Sequence, residues 1–555
     1  MIPFKKIIQL LILPAIVVLG SCTKLNETLN STLTNPQVSS SLGAAGTGLL
    51  LGAAYADLTG FISSQDALFS LEENTSDESL VPTRGGDWDD NGVWRVLHAH
   101  TWNADHGQIL NLFNGLNKLN FDATNVLGFN PSKGQAAEAR FLRAFALYYL
   151  LDLYGQFPLR NPGDNLLNAP QVKFGADGDA FIISEINTIM PDLPAANTNT
   201  QANPDAARVL LMKCYLQRGA FANRATPTFD AADMALVISL GNTIITSGKY
   251  SYTPKYFDNF AVNNGTLSKE NIFSYPNTGG VGTNHANVEA RWNMTLHYNS
   301  YTPNNPNAGW NGFSTISDFY NSFGAVTATS STNRIGGFFT GVGAKNNNDT
   351  LIDQRLGGRV YKGSSDVSGI RPGFLIGQQY NENGTAEVDR KGQPLAFDPA
   401  IASTMIEQGS NLELTGIRVV KYVPDYAFYG GPAGNWLMIY RYPDVVLMVA
   451  EAKARTGDAA GALTMVNQLR AARGAAPLVG MTLVNTANVE DPNTLLSERG
   501  RELYWESFRR TDLIRFGVYL KTWQYKPTDD PKNLVFPVPN QALAANPNLK
   551  QNPGY

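Results

Sequence analysis

Charged side chains are scarce in this chain: Lys, Arg, Asp and Glu together make up 16% of its 555 residues, against roughly a quarter in an average soluble protein. The formal net charge is -4. No basic block stands out, which argues against nucleic acid as a partner. Cysteine is almost missing, with Cys22 and Cys214 alone, so neither a disulfide framework nor a cysteine-rich zinc module can hold the fold together. Histidine occurs five times. No Gly-rich phosphate loop follows a strand and opens a helix, and no Gly-x-Ser-x-Gly elbow is present, which leaves phosphoryl transfer and esterase chemistry without support. The apolar run Ile7–Leu19, interrupted by Gln9 and Pro14, is too short to span a bilayer well.

What is present is a 43% hydrophobic content, ample for a core at this length. The polar surface must come from Asn, Thr, Ser and Gly, a composition suited to neutral polar ligands. Residues 1–21 read as an export signal: Lys5 and Lys6 form a positive start, the short apolar run follows, and Leu19-Gly20-Ser21-Cys22 resembles a lipobox. Cys22 is then the acylated mature N-terminus, and its acyl chains hold the protein on a membrane at about 0.8 kcal/mol per buried methylene. Residues 22–38 form the lipidated N-terminus and its polar tether. Cys214, among Leu210, Leu211 and Leu216, reads as core rather than as a reactive thiol.

Apolar positions crowd nearly every face of a helix predicted within Glu138–Leu159. Leu142, Phe145, Tyr149 and Leu153 fall on one stripe, and Ala144, Leu147, Leu151 and Tyr154 on a second, so two partner surfaces are required. Gly155 and Pro158 should end this helix near Tyr154. Further helices are predicted over Ser39–Leu58, Gln108–Leu119, Ala206–Gln217 capped by Asp205, Ala231–Thr246, Pro443–Thr456 and Ala459–Arg473. One last long helix is expected over Leu495–Gly517, with Ser497 as its cap. Helix, short turn, helix is the unit of a tetratricopeptide-like array, although no pair matches the 34-residue consensus closely. From about 271 to 433 the helical period fades into Gly, Asn, Pro and aromatic residues, the pattern of loops and short strands.

Two separated segments carry a family resemblance. Arg140, Arg143, Ala144, Tyr148, Leu150, Tyr154, Gly155 and Pro158, and the closing stretch NLVFPVPNQALAANPNLKQNPGY (Asn533–Tyr555), resemble the signature helix and terminal motif of the SusD/RagB family. Arg441, Glu451, Ala452, Asn467 and Arg470 also sit where this resemblance places them, and Leu495–Gly517 resembles the family's Glu-Arg helix, with Ser507 where many relatives have Gly. The resemblance implies a mostly α fold: tetratricopeptide-like helix pairs forming a superhelical scaffold, about 39–270 and 434–555, with a loop-rich, short-strand, ligand-binding half at about 271–433, all within one domain of residues 39–555. It implies an outer-membrane, surface-exposed lipoprotein that binds oligosaccharides and delivers them to a SusC-like TonB-dependent transporter, with no cofactor and no catalysis.

Sugar rings present apolar faces and polar edges, so a glycan site needs an aromatic platform beside amide, carboxylate or guanidinium groups. Trp88, flanked by Arg84, Asp87 and Asn91 on a Gly-rich turn, has that make-up and should be exposed. Trp292, Tyr301 and Trp310 form a second aromatic loop region, which continues through Tyr298, Phe313 and Phe319. Trp94 and Trp102 read as core. Glu498, Glu502 and Glu506 could supply paired carboxylates for glycoside hydrolysis, but their offsets from Arg499, Arg501, Arg509 and Arg510 suit a structural ion-pair network. His98, His100 and His106 lack the further ligand and supporting shell that zinc needs, and Lys345–Asp353 lacks the Gly and terminal Glu of an EF-hand loop. Two rival readings stand beside the binding protein: a surface glycoside hydrolase, and a peptide-binding tetratricopeptide scaffold.

Overall fold

The computed structural model describes residues 35–300, 309–323, 334–335, 338–339, 353–357, 372–379, 386–428, 430–527 and 529–555. Cys22, Tyr301 and nearly all of the Asn-rich run 345–353 therefore lie outside the described residues. The chain divides into a unit of residues 1–43 and a unit of residues 44–555. The description that follows is of the second.

Helix dominates. The long elements are α1 (Asn35–Asp57), α2 (Gly107–Leu127), α3 (Lys133–Tyr154), α4 (Gly175–Ile189), α5 (Pro204–Ala222), α6 (Ala231–Ile245), α7 (Tyr442–Arg455) and α8 (Ala459–Ala472). From α2 to α6 each helix packs on the next, α7 packs on α8, and α7 also packs on α6 across the intervening loop-rich segment. Gly241 makes that last contact possible: a Cβ there would lie 2.2 Å from a Val449 methyl and 3.0 Å from the Met212 methyl, so only a bare backbone lets α6 meet α5 and α7 so closely. Beside this contact, β3 (Asn271–Tyr275) pairs antiparallel with β4 (Leu437–Arg441), drawing together the two ends of the segment between them. An earlier hairpin, β1 (Gln156–Leu159) with β2 (Gln171–Phe174), follows directly on α3.

Helix α3 is central for the reason its two stripes predict. Nearly every residue from Ala137 to Tyr154 is buried, with α2, α4 and α5 packed around it. Each large apolar side chain so buried contributes about 1.5–3 kcal/mol. Ser132 opens α3 with a capping box, its hydroxyl accepting from Gln135 N at 3.2 Å while its own N–H donates to Gln135 Oε1 at 3.0 Å. Gly155, at φ 71°, ends it. Arg140 and Arg143 both reach Glu185 on α4, so these two residues of the signature helix join it to its neighbour.

Three local expectations are corrected. The cap of α5 is Asn203, whose Oδ1 accepts from Asp205 N and Ala206 N, and not Asp205; Pro204 lacks an N–H and suits the first helical position, which moves the cap back by one. The cap of the helix beginning at Leu495 is Thr494, accepting from Ser497 N at 3.1 Å, rather than Ser497. The stretch 495–517 is not one long helix but two, α9 (Leu495–Leu503) and α10 (Arg509–Arg515). Between them Trp505 and Ser507 adopt φ of 57° and 66°, and their N–H groups leave the helical ladder. Trp505 N donates to Glu78 Oε2 at 3.1 Å and Ser507 N to Glu73 Oε1 at 2.5 Å, while Thr511 N in α10 donates to Glu72 Oε2 at 3.2 Å. Buried carboxylates from a distant segment take over donors that a continuous helix would satisfy internally. Ser507 is itself in the left-handed region that Gly occupies most readily.

Around this break lies a buried charge network. Glu498 accepts from Arg355, Arg470 and Arg501 at 2.7–2.8 Å, Glu502 accepts from Arg441 and Arg473, and Glu506 binds Arg441. Arg509 makes a two-pronged pair with Asp77 at 2.6 Å. Burial pushes the Glu498 and Glu502 carboxyls up, but the surrounding guanidinium groups outweigh it and hold both below the usual carboxylate range. Cys214 is fully buried, and burial raises its thiol pKa, which suits the core role and not a nucleophile.

Candidate functional site

The turn before Trp88 is closed by Arg84 N donating to Asp87 O at 2.9 Å and Asp87 N donating to Arg84 O at 3.3 Å. Gly85, at φ 72°, lets it turn that tightly. Gly85, Gly86, Asp87 and Asn91 are exposed. Trp88 is half-buried rather than exposed: its indole N–H donates to Trp310 O at 2.7 Å, and its ring meets Trp94 and Phe313 edge-on at centroid distances of 5.2 and 5.4 Å. It rests on Gly312, where a Cβ would fall 2.4 Å from the indole. Trp310 is likewise half-buried, and its backbone N–H donates to Asn293 O at 2.6 Å. The two aromatic loop regions therefore meet through Trp88 and Trp310.

Two expected ligand residues are removed from this face. Arg84 is 3% exposed and donates to Leu412 O, Thr415 O, Thr415 Oγ1 and Ser314 Oγ. Burial lowers its pKa to about 10, and its role is to tie the turn to the loop behind it. Trp292 is fully buried in the short helix Ala290–Asn293; the neighbouring Arg291 guanidinium packs over Phe69 at 4.3 Å. Periodicity could not reveal either placement, because both residues sit in elements of two to four residues, too short to carry a period, whose burial depends on remote segments. Trp94 and Trp102 are buried, as expected of core anchors.

Next to Trp88 the structure assembles residues that no motif connects. The Tyr298 hydroxyl donates to Asp87 Oδ2, and burial together with that carboxylate pushes the phenol pKa up to about 12. The Arg390 guanidinium lies 3.9 Å from the centre of the Tyr298 ring, a cation–π contact. Arg390 is held there by Glu413, through Nε at 2.8 Å and its backbone N–H at 3.1 Å. His297 completes the support: its Nε2 bonds Glu413 Oε2 at 2.7 Å and its Nδ1 accepts from Asn299 N at 3.0 Å. Burial lowers the His297 pKa to about 4, so the ring is neutral, with its proton on Nε2. Burial pushes Glu413 up, but the bonds from Arg390 and His297 outweigh it and leave the carboxyl below its usual range. Tyr298 belongs to a visible aromatic run. Arg390 and Glu413 carried no sequence signal, because their role depends on a fold contact about a hundred residues away in the chain.

The aromatic face so formed has half-buried rings held rigidly at Trp88, Trp310 and Tyr298, an exposed carboxylate and amide at Asp87 and Asn91, and a half-exposed cation at Arg390. Such a surface can stack on a ring and hydrogen-bond its edges, and it has no nucleophile paired with a base. Among the described residues no group of three His, Cys, Asp or Glu could hold a metal ion. His98 faces Ser79 O and Gln524 O, His100 faces Asp529 and Thr75 O, and His106 faces Val93 O, so the three rings serve separate packing contacts.

A mostly helical body of stacked helix pairs, with ring-and-amide loops on short strands, is the architecture of the SusD-like surface proteins. The chain belongs to the SusD family, whose sequence profile matches residues 239–555. A SusD-like protein of Formosa agariphila is 33% identical over 124 residues, 21% of this chain and 24% of that protein. A SusD-like protein of Bacteroides ovatus is 28% identical over 130 residues, 23% of each. This chain thus matches about a quarter of the length of those relatives. Among solved structures, a SusD-like protein of Bacteroides fragilis superposes with a TM-score of 0.65 at 20% identity, covering 92% of this chain and 97% of that one. The surface glycan-binding protein A of Bacteroides uniformis does so with 0.63 at 16% identity, covering 92% and 99%.

Proposed function

We propose that this protein is a cell-surface, outer-membrane lipoprotein that captures an oligosaccharide on the face around Trp88, Trp310 and Tyr298 and delivers it to a partner TonB-dependent transporter. The observation that carries the reading is the Asp87–Tyr298–Arg390 arrangement beside Trp88: aromatic rings fixed by buried supports, with an open carboxylate, amide and guanidinium around them. Ring faces stack on apolar sugar faces, and the polar groups take hydroxyls. Asp87, Asn91, Arg390 and Trp310 are the contacts. The similarity to a protein described as surface glycan-binding supports this ligand class. Binding needs no covalent chemistry, and Glu498 and Glu502, fully buried and each paired with arginines, have no access to a substrate.

Calorimetry against a panel of polysaccharides, with product analysis of the same samples, is the deciding experiment. Heat of binding without new reducing ends supports capture; turnover would favour a hydrolase, and binding of peptides but of no glycan would favour a peptide scaffold. Among the described residues no helix is long and apolar enough to cross a membrane; in this reading the attachment is the acylated Cys22 of the lipobox-like Leu19-Gly20-Ser21-Cys22. Cys22→Ala should leave a folded protein that no longer co-sediments with outer membranes, because the acyl chains are the dominant membrane contribution. Equal recovery of variant and wild type in the membrane fraction would refute the anchor.

A further inference from the structure

Two further aromatics, Phe428 and Trp436, take no part in the Trp88 contacts described above. Phe428 is 40% exposed and Trp436 half-buried, and neither packs on the hydrophobic core. Each lies instead against bare glycine backbone. A Cβ at Gly265 would fall 2.5–2.7 Å from three atoms of the Trp436 indole; Cβ atoms at Gly279 and Gly280 would fall 2.7–2.8 Å from the Phe428 ring. One side of each ring is thus seated on backbone that only glycine leaves open.

The seats are rigid. Asn264 brackets the Trp436 backbone, its Nδ2 donating to Trp436 O and its Oδ1 accepting from Trp436 N, both at 2.8 Å. Asn435 Nδ2 donates to Phe260 O at 3.0 Å and Val423 O at 2.9 Å. Asp425 accepts from Ala427 N and Gly434 N, fixing both ends of the loop between the rings. The two seats adjoin: a Cβ at Gly434 would lie 3.5 Å from Gly279 N, beneath Phe428, and Gly434 is two residues, at most roughly 7 Å, from Trp436. Among the described residues the Trp436 indole N–H has no acceptor, so a donor is left beside an ordered ring.

We propose that Phe428 and Trp436 form a second carbohydrate site, two aromatic platforms that stack on pyranose rings of one glycan chain while the Trp436 indole N–H donates to a sugar hydroxyl. A protein-docking patch is a contiguous apolar area with a buried centre. Here exposed Asn263, Thr266 and Thr278 lie in the loops that seat the two rings, interspersed with exposed Leu267 and Val281, and this mixture of polar side chains, single apolar groups and a free indole donor suits a sugar with alternating apolar faces and hydroxyl edges. The proposal rests on the glycan-binding reading above. A second site lengthens the stretch of polymer held and raises avidity for chains long enough to reach both faces.

The test is native affinity electrophoresis of the full chain in gels containing a soluble α-glucan, β-glucan, xylan, mannan or pectin. The wild type is compared with Trp436→Ala, Phe428→Ala, the double variant and Tyr298→Phe. On a polysaccharide that retards the wild type, each single Ala variant should bind about three- to tenfold more weakly, and the double variant more weakly still, with unchanged melting temperature. Should Trp436→Ala lower the melting temperature, Trp436→Tyr decides: restored binding supports the platform, and binding still lost overturns it. A double variant that binds like the wild type while Tyr298→Phe weakens binding overturns the second site and leaves the glycan reading standing. If no polysaccharide retards the wild type, both fall together.

Discussion

The side-chain amide of Asn552 donates to the carbonyl of Tyr154 at 3.0 Å, so the terminal segment seals the C-terminus of the central helix α3. Asn552 also donates to Phe536 O at 2.6 Å, and Phe536 N donates to Leu153 O at 2.8 Å. Gln551 holds the Pro-x-Pro turn from within, accepting from Val538 N and donating to Val538 O, both at 2.8 Å. The helix and the terminal segment are therefore one structural unit, in which the terminal motif satisfies carbonyls that α3 leaves open where it stops.

Asn552→Ala should orphan the Tyr154 and Phe536 carbonyls and cost about 1–3 kcal/mol. Chemical denaturation would read this as a lower midpoint, with glycan affinity of the folded fraction unchanged. A variant as stable as wild type would show that the terminal motif is not a cap.

The charge network predicts a separation of stability from binding. Glu502→Ala leaves Arg473 and Arg441 short of a buried partner, and Arg509→Ala does the same to Asp77. Breaking a buried pair from one side costs about 3–5 kcal/mol, so both variants should melt earlier while the folded protein binds glycan normally. A stable variant that loses binding would move the site to α9 and α10.

At the proposed face, Tyr298→Phe removes the bond to Asp87 without emptying the ring position. It should weaken glycan binding and leave the melting temperature alone. Trp88→Ala should cost on the order of 2 kcal/mol in binding, a hot-spot magnitude, or about thirtyfold. Because Trp88 also packs on Trp94 and Phe313, this variant should lose stability too. Titration calorimetry with a glycan that the wild type binds measures both, and unchanged affinity in both variants would sink the assignment.

The buried acidic segment gives a pH prediction. Burial pushes the Glu73 carboxyl up to about 7, against roughly 4.3 in an unfolded chain. Between those values the folded state binds the extra proton, so this group's contribution is complete below the lower value and is lost as pH rises through the upper one. Glu73→Gln cannot ionise. Relative to wild type it should gain stability from pH 5 to pH 8, by on the order of 2–3 kcal/mol. Unfolding titrations of the two proteins at several pH values test this, and parallel profiles would refute it.

Helix α3 was legible because its apolar period and its Gly155 stop are local properties, and α6, α7 and α8 were legible for the same reason. That the Glu498–Arg510 stretch serves structural ion pairs could also be read from its charges, but of the offset pairs among the described residues only Glu498–Arg501 forms, and Glu502, Arg499 and Arg509 pair with Arg441, Arg473, Asp444 and Asp77 from elsewhere in the chain. What local pattern could not decide was any feature whose partner lies far away in the chain. The break between α9 and α10 exists because Glu73 and Glu78 capture N–H groups there, and nothing within 495–517 announces it. Arg84 and Trp292 have the residue types of a binding loop, yet tertiary contacts with the 412–415 loop and the interior bury them. Conversely, Arg390 enters the candidate face only because Glu413 and Tyr298 hold it there. The sequence alone determined the family and the mostly helical class, since these follow from motif and period. Which aromatic and charged side chains face outward was decided only by tertiary packing, because in irregular loops burial is set by whichever distant segment comes to lie against them.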